Sequence, residues 1–210
     1  MVRDMNVEHD EEASAGLLTR LGALLRDRRG IAAIEFALIV PLLLTLYFVT
    51  MEVGQAIQTN KKVGRAASMI ADLITQQPQM TAGEIDAIMQ IGTAILQPYN
   101  RSRPDITVTA IEVTDENTPK VLVKWSRKLE NGNFGRAAQP GTTATVPAKL
   151  KKRGSFLIHV EAELEYRPVI TWTASQKQTL GLFGAFDGIS MREGYYLRPR
   201  MSTDIPCGNC

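Results

Sequence analysis

A long apolar run near the N-terminus constrains this chain more than any other feature of its sequence. No residue between Phe36 and Met51 carries a charge, and extension back to Gly30 gives 22 residues with a single acid, Glu35. An α-helix rises about 1.5 Å per residue, so this run would be roughly 33 Å long and could cross a hydrocarbon core of about 30 Å. We therefore predict one transmembrane helix over residues 30–53.

Two alternative interpretations of the apolar run remain open. A buried core helix would carry its apolar residues on one stripe, whereas here they cover every face. A cleaved signal peptide would have a shorter apolar region, of about 7–15 residues, followed by a small-residue cleavage site. Residues 52–56 match such a site poorly. Pro41 lies inside the run, and transmembrane helices tolerate proline where neighbouring groups satisfy the freed carbonyl.

The flanking charges predict how the helix is oriented. Four arginines lie on the N-terminal side of the run, at positions 20, 26, 28 and 29, whereas the basic residues after it begin only at Lys61. The positive-inside rule then places the N-terminus in the cytoplasm. We predict three regions: a cytoplasmic leader or tail over 1–29, the membrane helix over 30–53, and an extracytoplasmic domain over 54–210.

Glu35 needs an explanation, because it lies only five residues into the apolar run. A carboxylate inside the hydrocarbon costs a few kcal/mol on insertion scales. One explanation is that Glu35 lies at the level of the lipid headgroups. The other is that it pairs with a cation inside an assembly.

The residues around Glu35 resemble a known processing site. Two arginines precede Gly30, four small or apolar residues follow it, and Glu35 and Phe36 come next. This order resembles that of pseudopilins from the tight-adherence (Tad) pilus. The apolar continuation and the Met-Glu-Val-Gly sequence at 51–54 are similar to the TadE-like family, so that the resemblance covers about residues 28–75.

The resemblance implies a cut by a prepilin peptidase between Gly30 and Ile31. Such a cut would create an ammonium group on Ile31, and residues four apart lie on one helix face. Glu35 could then neutralise the Ile31 ammonium of its own chain or that of an adjacent subunit. Phe36 completes the motif that the resemblance assigns to assembly.

The same resemblance implies the function, the partners and the location of the chain. It implies a minor pseudopilin or assembly component of a Tad/Flp-type pilus, a structure used in adhesion and secretion. The expected partners are the prepilin peptidase, other Tad pilus pseudopilins or platform proteins, and the bacterial inner membrane. We expect a single-pass protein with a periplasmic C-terminal domain.

Helical periodicity continues beyond the membrane run. We predict one long helix over 31–76, ended by Pro78 because proline disfavours a helical residue before it. Thr81 and Glu84 have the spacing of a capping box, which predicts a second helix over 82–97 that packs against a sheet.

Period-two patterns then predict four strands, over about 105–114, 120–129, 155–167 and 188–198. Together with the helices, they predict an α+β fold with a small antiparallel sheet. The strand at 155–167 alternates most clearly, with one polar face that carries His159, Glu161, Glu163 and Glu165. We expect Lys124 and Lys128 to be the cross-strand partners of these acids.

Two further segments are predicted to be irregular. The first is a long loop over 131–148, which is rich in glycine and proline. The second is Leu180–Gly188, where Phe183 and Phe186 either cover the core or contact a partner or the membrane surface.

The chain has two cysteines, Cys207 and Cys210, separated by Gly-Asn. Outside the cytoplasm we expect them to form a disulfide. Intermolecular bonding, metal binding and a redox motif are the alternatives. Two thiols are too few for a structural zinc site, which takes four ligands.

Charge and motifs narrow the function classes. The formal net charge is +2, which gives no basic footprint for nucleic acid. The sequence has no serine-hydrolase, zinc-protease or phosphate-loop motif, so we expect no enzyme activity, no cofactor and no small-molecule substrate. His159 is expected to be a surface residue rather than a catalytic base.

Two functional interpretations remain after this exclusion. The first is a pilus pseudopilin or assembly component. The alternative is an uncleaved single-span envelope protein whose extracytoplasmic domain binds another partner. The two differ at the processing motif, because a pseudopilin needs the cut after Gly30 and the carboxylate of Glu35, whereas a plain anchor needs neither.

Overall fold

The structure, a computed structural model, describes residues 31–169 and 188–210. Helix α1 comprises Ile31–Thr75 and helix α2 comprises Ala82–Ile95. Both predicted helices are confirmed, with ends within two residues of those expected.

Five strands form one sheet in which every neighbouring pair is antiparallel. They are β1 (Asp105–Val113), β2 (Val121–Glu130), β3 (Asn133–Gly135), β4 (Ser155–Tyr166) and β5 (Ile189–Leu197). The strand order is β3-β2-β1-β4-β5. A short 3-10 helix, Ala148–Leu150, precedes β4. The predicted α+β class is confirmed, and so are the four predicted strands.

The residues of helix α1 belong to two compact units. The first unit ends at Met51, and the second comprises Glu52–Cys210. The second unit contains the whole sheet, helix α2 and the C-terminal half of α1.

The capping box begins α2 as predicted. Thr81 Oγ1 accepts a hydrogen bond from the backbone N–H of Glu84 at 3.4 Å, and Glu84 Oε2 accepts one from the backbone N–H of Thr81 at 2.7 Å. Two N–H groups that lack intrahelical partners are thereby satisfied.

The main core lies between one face of the sheet and both helices. Helix α1 contributes small and branched side chains, and α2 contributes Ile85 and Met89. Trp125 of β2 is buried in this core, and its indole Nε1 donates a hydrogen bond to Ile205 O at 2.7 Å. The α1 side chains in the core are Val63, Ala67, Ile70, Ala71 and Ile74.

A register shift divides the burial pattern of β2. Ala110 pairs with Trp125 but Ile111 pairs with Val123, so Lys124 is an extra residue without a partner on β1. Such a bulge changes which side chains face each side of the sheet. Beyond it lies a second, smaller cluster of buried residues, formed by Ile111, Val113, Val121 and Leu157.

The predicted pairing of the β4 acids with lysines of β2 is wrong. Strand β1 lies between β2 and β4, so these two strands are not neighbours. Lys124 binds Glu112 at 3.0 Å, and Lys128 binds Glu130 at 2.5 Å. Glu161 and Glu163 of β4 pair with an arginine of β5 instead.

The predicted loop over 131–148 is more ordered than expected. It contains β3, and its residues also bond to the outer edge of β2. The N–H of Gly141 donates to Val123 O at 2.7 Å, and the N–H of Ala144 donates to Val121 O at 2.9 Å. The other predicted loop, Leu180–Gly188, lies outside the described residues except for Gly188, as do Phe183 and Phe186.

Candidate membrane and assembly segment

The N-terminal part of α1 exposes nearly all of its apolar side chains. From Ala32 to Thr50 every side chain is exposed except that of Val40, which is half-buried. Within the described residues this is the one helix with the length and composition needed to cross a membrane, although a signal sequence would satisfy the same criteria. A helix that is apolar on every face suits a lipid environment, because hydrating this surface would be unfavourable.

Glu35 and Phe36 lie early in α1, and both side chains are exposed. Phe36 as a whole residue is 70 % exposed. Ile31 is the first residue of the helix, and Gly30 lies outside the described residues. Positions 31 and 35 are one helical turn apart and share a face. The cut at Gly30 and the charge pairing of Glu35 stay predictions.

The polar groups inside the apolar segment have local partners. The hydroxyl of Thr45 donates to Pro41 O at 2.8 Å, and that of Thr50 donates to Leu46 O at 2.8 Å. These bonds run from residue i to residue i−4 along the helix. They satisfy hydroxyl groups that would be costly to leave unpaired in hydrocarbon. Pro41 lies inside α1 without ending it.

Glu52, the residue directly after the apolar segment, is buried. Its Oε1 accepts a hydrogen bond from the hydroxyl of Tyr166 at 2.5 Å, and its Oε2 accepts one from the N–H of Val169 at 3.1 Å. Burial raises the pKa of Tyr166 to about 12, and the hydrogen bond to Glu52 acts in the same direction. This carboxylate therefore fixes α1 to the end of β4, and we call the contact the Glu52 latch.

An arginine supports the latch from the loop before β1. The guanidinium of Arg101 lies 4.8 Å from the ring centre of Tyr99 and 5.4 Å from that of Tyr166. Its Nε donates to Arg167 O at 2.6 Å. Cations placed over aromatic rings are stabilised by the ring quadrupole, so Arg101 holds Tyr166 in place.

Comparison with known families concerns the same stretch of α1. A family model described as TadE-like protein matches residues 30–72. Residues 30–72 are thus similar to TadE-like proteins, and we call them the TadE-like segment. The match covers 43 of the 210 residues. No curated protein and no solved structure matched the chain.

The TadE-like segment extends over both units of the chain. Its first part is the exposed apolar helix with Glu35 and Phe36, and the part that follows includes Glu52 and every α1 residue of the main core except Ile74. The sequence resemblance is therefore confirmed. The latch was missed, because Tyr166 lies 114 residues after Glu52 in the chain. An acid directly after an apolar run was the available signal.

Two acids of β4, Glu161 and Glu163, pair with β5, whereas Glu165 pairs with Arg167. Arg192 binds Glu163 at 2.5 Å and Glu161 at 3.4 Å. The hydrogen bond from Arg192 is the main cause that lowers the pKa of Glu163. These are partly exposed ion pairs, which contribute little to stability.

His159 is half-buried on the same face of the sheet, rather than fully at the surface as expected. Its ring stacks on that of Tyr196, with the ring centres 4.0 Å apart. Burial lowers the pKa of His159, and Glu161 opposes this effect. His159 therefore packs as a neutral aromatic side chain.

The two cysteines are joined by a disulfide in the structure, with their Cα atoms 5.7 Å apart. The ring that they close bonds to the start of α2. Asn209 Oδ1 accepts a hydrogen bond from the N–H of Ala82 at 2.8 Å, and the N–H of Gly208 donates to Met80 O at 3.1 Å. We call residues 207–210 the C-terminal clasp. No cluster of three or more metal-ligand side chains occurs in the described part of the chain.

Proposed function

We propose that this chain is a minor pseudopilin or assembly component of a Tad/Flp-type pilus. The observation that carries the proposal is the TadE-like match over 30–72, which begins at Gly30 and includes the exposed apolar part of α1. In this proposal the helix anchors the chain in the bacterial inner membrane, with its N-terminus in the cytoplasm and the sheet in the periplasm. The chain then acts by assembly and not by catalysis.

The proposal includes a cut by a prepilin peptidase between Gly30 and Ile31. Gly30 has no side chain, which suits an extended backbone in a protease cleft. The cut would leave an ammonium group at the first residue of α1. A carboxylate four residues later is then in position to neutralise an amine that lipid would otherwise make costly.

Glu35 is proposed to direct assembly through this charge pair. Its side chain is exposed, so it is accessible to the ammonium of an adjacent subunit. Expected partners are other Tad pseudopilins or platform proteins. Support for the pairing is its spacing and its exposure in an otherwise uncharged segment.

The decisive experiment is N-terminal sequencing of the protein from host membranes, with and without its prepilin peptidase. A start at Ile31 that depends on the peptidase is expected. A Gly30→Val variant should remain uncut, whereas Gly54→Ala, at a glycine with open space around it, should be cut normally. A start at Met1 in both strains would contradict processing and favour an uncleaved single-span envelope protein.

Assembly is tested separately, after processing. Glu35→Ala should be cut normally but should no longer appear in sheared pilus fractions. Glu35→Asp keeps the charge and should retain part of the assembly. Normal incorporation of Glu35→Ala would contradict the charge-pairing role and leave the cleavage proposal intact.

A further inference from the structure

The exposed side of α1 changes from apolar to basic just beyond the apolar segment. Val53 and Ile57 are each 53 % exposed, and Lys61 and Arg65 are exposed as well. Side chains four residues apart form one inclined ridge on a helix. These four side chains therefore make a continuous surface, which we call the 53–65 stripe.

Among the described residues, no hydrogen bond or ion pair engages the side chains of Lys61 and Arg65, which line a cleft beside Glu193 and Tyr195 of β5. In the same part of α1, the side chains of Thr59, Val63 and Ala67 are buried, and they lie on the other side of the helix. The Glu52 latch also points into the protein, where Tyr166 and Val169 bind the carboxylate. Within the described residues the stripe is thus exposed, while the opposite side of α1 is packed in the core.

The length of the apolar surface indicates what covers the stripe. With Val53 and Ile57 included, the part of α1 whose exposed side chains are mostly apolar extends from Ala32 to Ile57, a stretch of about 39 Å for an α-helix. This length exceeds the thickness of a hydrocarbon core, which is about 30 Å. A helix whose apolar part is longer than the core is accommodated by tilting in the membrane. A tilted α1 places one side of its exit region among the lipid headgroups.

The charges complete the match to a lipid surface. Lys61 follows Ile57 by one turn, about 6 Å along the axis. Lysine and arginine keep their methylene stems on apolar surface and extend their charged ends to the headgroup level. Along the stripe two apolar side chains come first and two cationic side chains follow. The same order is expected for a helix that passes from the hydrocarbon core of a membrane to the phosphates of its lipid headgroups.

We propose that the 53–65 stripe binds anionic phospholipid headgroups of the membrane that α1 crosses. This inference rests on the membrane anchoring in the proposed function. Val53 and Ile57 enter the interfacial layer, while Lys61 and Arg65 bind the phosphates. The contact fixes the tilt of α1 at its exit from the bilayer and depends on lipid charge.

The test measures acetylation of lysine side chains in the full chain reconstituted into lipid nanodiscs. A short pulse of an N-hydroxysuccinimide ester is followed by peptide mass spectrometry. In discs that contain phosphatidylglycerol, Lys61 should react at least three times more slowly than in discs of phosphatidylcholine alone. Lys149 is exposed elsewhere in the chain and should react equally in both. High salt should remove most of the difference.

Variants separate the stripe from general effects of charge. Arg65→Glu should reduce the protection of Lys61 in anionic discs, whereas Lys149→Glu, with the same change in net charge, should not. Circular dichroism of both variants checks that the fold is kept.

Two results would overturn the proposal. Equal rates at Lys61 in neutral and anionic discs would show that lipid charge does not matter. Protection that persists in neutral lipid and rises with the number of chains per disc would assign the stripe to a second helix. A chain that is not retained in discs at all would contradict the membrane anchoring itself, and this proposal with it.

Discussion

Glu52 illustrates how strongly one side chain depends on distant residues. It follows an apolar run, where an acid would be expected at the membrane surface in water. Instead it is buried and bonded to Tyr166 and Val169. Removing one hydrogen-bond partner of a buried polar group leaves the cost of its desolvation uncompensated.

The Glu52 latch predicts that removing the hydroxyl of Tyr166 lowers the free energy of unfolding more than removing that of Tyr196. Tyr166→Phe removes the hydroxyl that donates to Glu52 and should destabilise the protein by about 1–3 kcal/mol. Tyr196→Phe is the matched control, because the hydroxyl of Tyr196 makes only a long contact, 3.5 Å, with Thr145 O. Urea unfolding of the full chain in detergent measures both. Equal stability of the two variants would contradict the role of the latch.

A double-mutant cycle isolates the pair itself. Glu52→Gln, Tyr166→Phe and the double variant should show a coupling free energy of about 0.5–3 kcal/mol, as expected for residues in direct contact. Strictly additive effects would mean that the two side chains act independently.

His159 predicts how stability depends on pH. Its pKa is lowered by burial, so below the unfolded value of 6.5 the unfolded chain binds more protons than the folded one. Stability should therefore fall as the pH falls from 7 towards 5. The lowered pKa of Glu163 acts only below its own unfolded value of 4.5. In His159→Asn the slope between pH 7 and 5 should be smaller, as measured by urea midpoints. If the dependence of stability on pH is the same in His159→Asn as in the wild type, His159 is not its source.

At the level of elements, helix α2 packs closely against α1 through a glycine. A Cβ atom at Gly92 would lie 2.4 Å from Ile70 Cδ1, closer than real contacts allow. Glycine lowers the intrinsic stability of a helix, so its presence here reflects the close approach of the two helices.

Two glycines in the same helix provide a matched comparison. Gly92→Ala should destabilise by about 1–3 kcal/mol, because overpacking forces the core to shift. Gly83→Ala, where a Cβ atom meets nothing within 4 Å, should be neutral or stabilising by up to about 1 kcal/mol. Thermal unfolding of both variants measures the difference. A stabilising Gly92→Ala would show that Ile70 moves aside freely.

The C-terminal clasp predicts that loss of its disulfide has a local effect on the start of α2. Cys207→Ser combined with Cys210→Ser should lower stability by about 2 kcal/mol, since the closed loop is short. Hydrogen exchange should rise at residues 80–85, where the clasp bonds to the start of α2. Asn209→Ala should raise exchange there while the disulfide is kept. Unchanged exchange in both variants would contradict the clasp.

The elements that the sequence predicted well are those specified by local pattern. The capping box at Thr81, Pro78 after α1 and the alternation in β4 each depend on neighbouring residues only. The partners of Lys124 and Lys128 were predicted wrongly, because strand order depends on contacts between distant parts of the chain. The bulge at Lys124 likewise cannot be inferred from alternation, since it is defined by the register with β1.

For the whole molecule, the division at Met51 predicts that membrane insertion and folding are separable. Leu43→Arg places a charge near the middle of the apolar segment and should weaken insertion by about 2.5–3.5 kcal/mol. The fold of residues 52–210 should be unaffected, since the core lies within the second unit.

Alkaline carbonate extraction and circular dichroism check the two parts of this prediction. Leu43→Arg should be released from membranes that retain the wild type. The near-ultraviolet circular dichroism spectrum, which reports the packing of the aromatic side chains, should be preserved. Lys149→Arg is a control at an exposed site and should change neither. Loss of the near-ultraviolet signal in Leu43→Arg would mean that the two units are not independent.

The buried phenol of Tyr166 also gives the molecule its own optical reporter. The chain has five tyrosines, and burial raises the pKa of this one to about 12, above the usual value for a phenol. Burial raises the pKa of Tyr196 as well, so in an alkaline titration followed by phenolate absorbance the step of Tyr166 is the late one that Tyr166→Phe removes. A step shifted to lower pH would report that α1 has separated from β4, without any label attached to the protein.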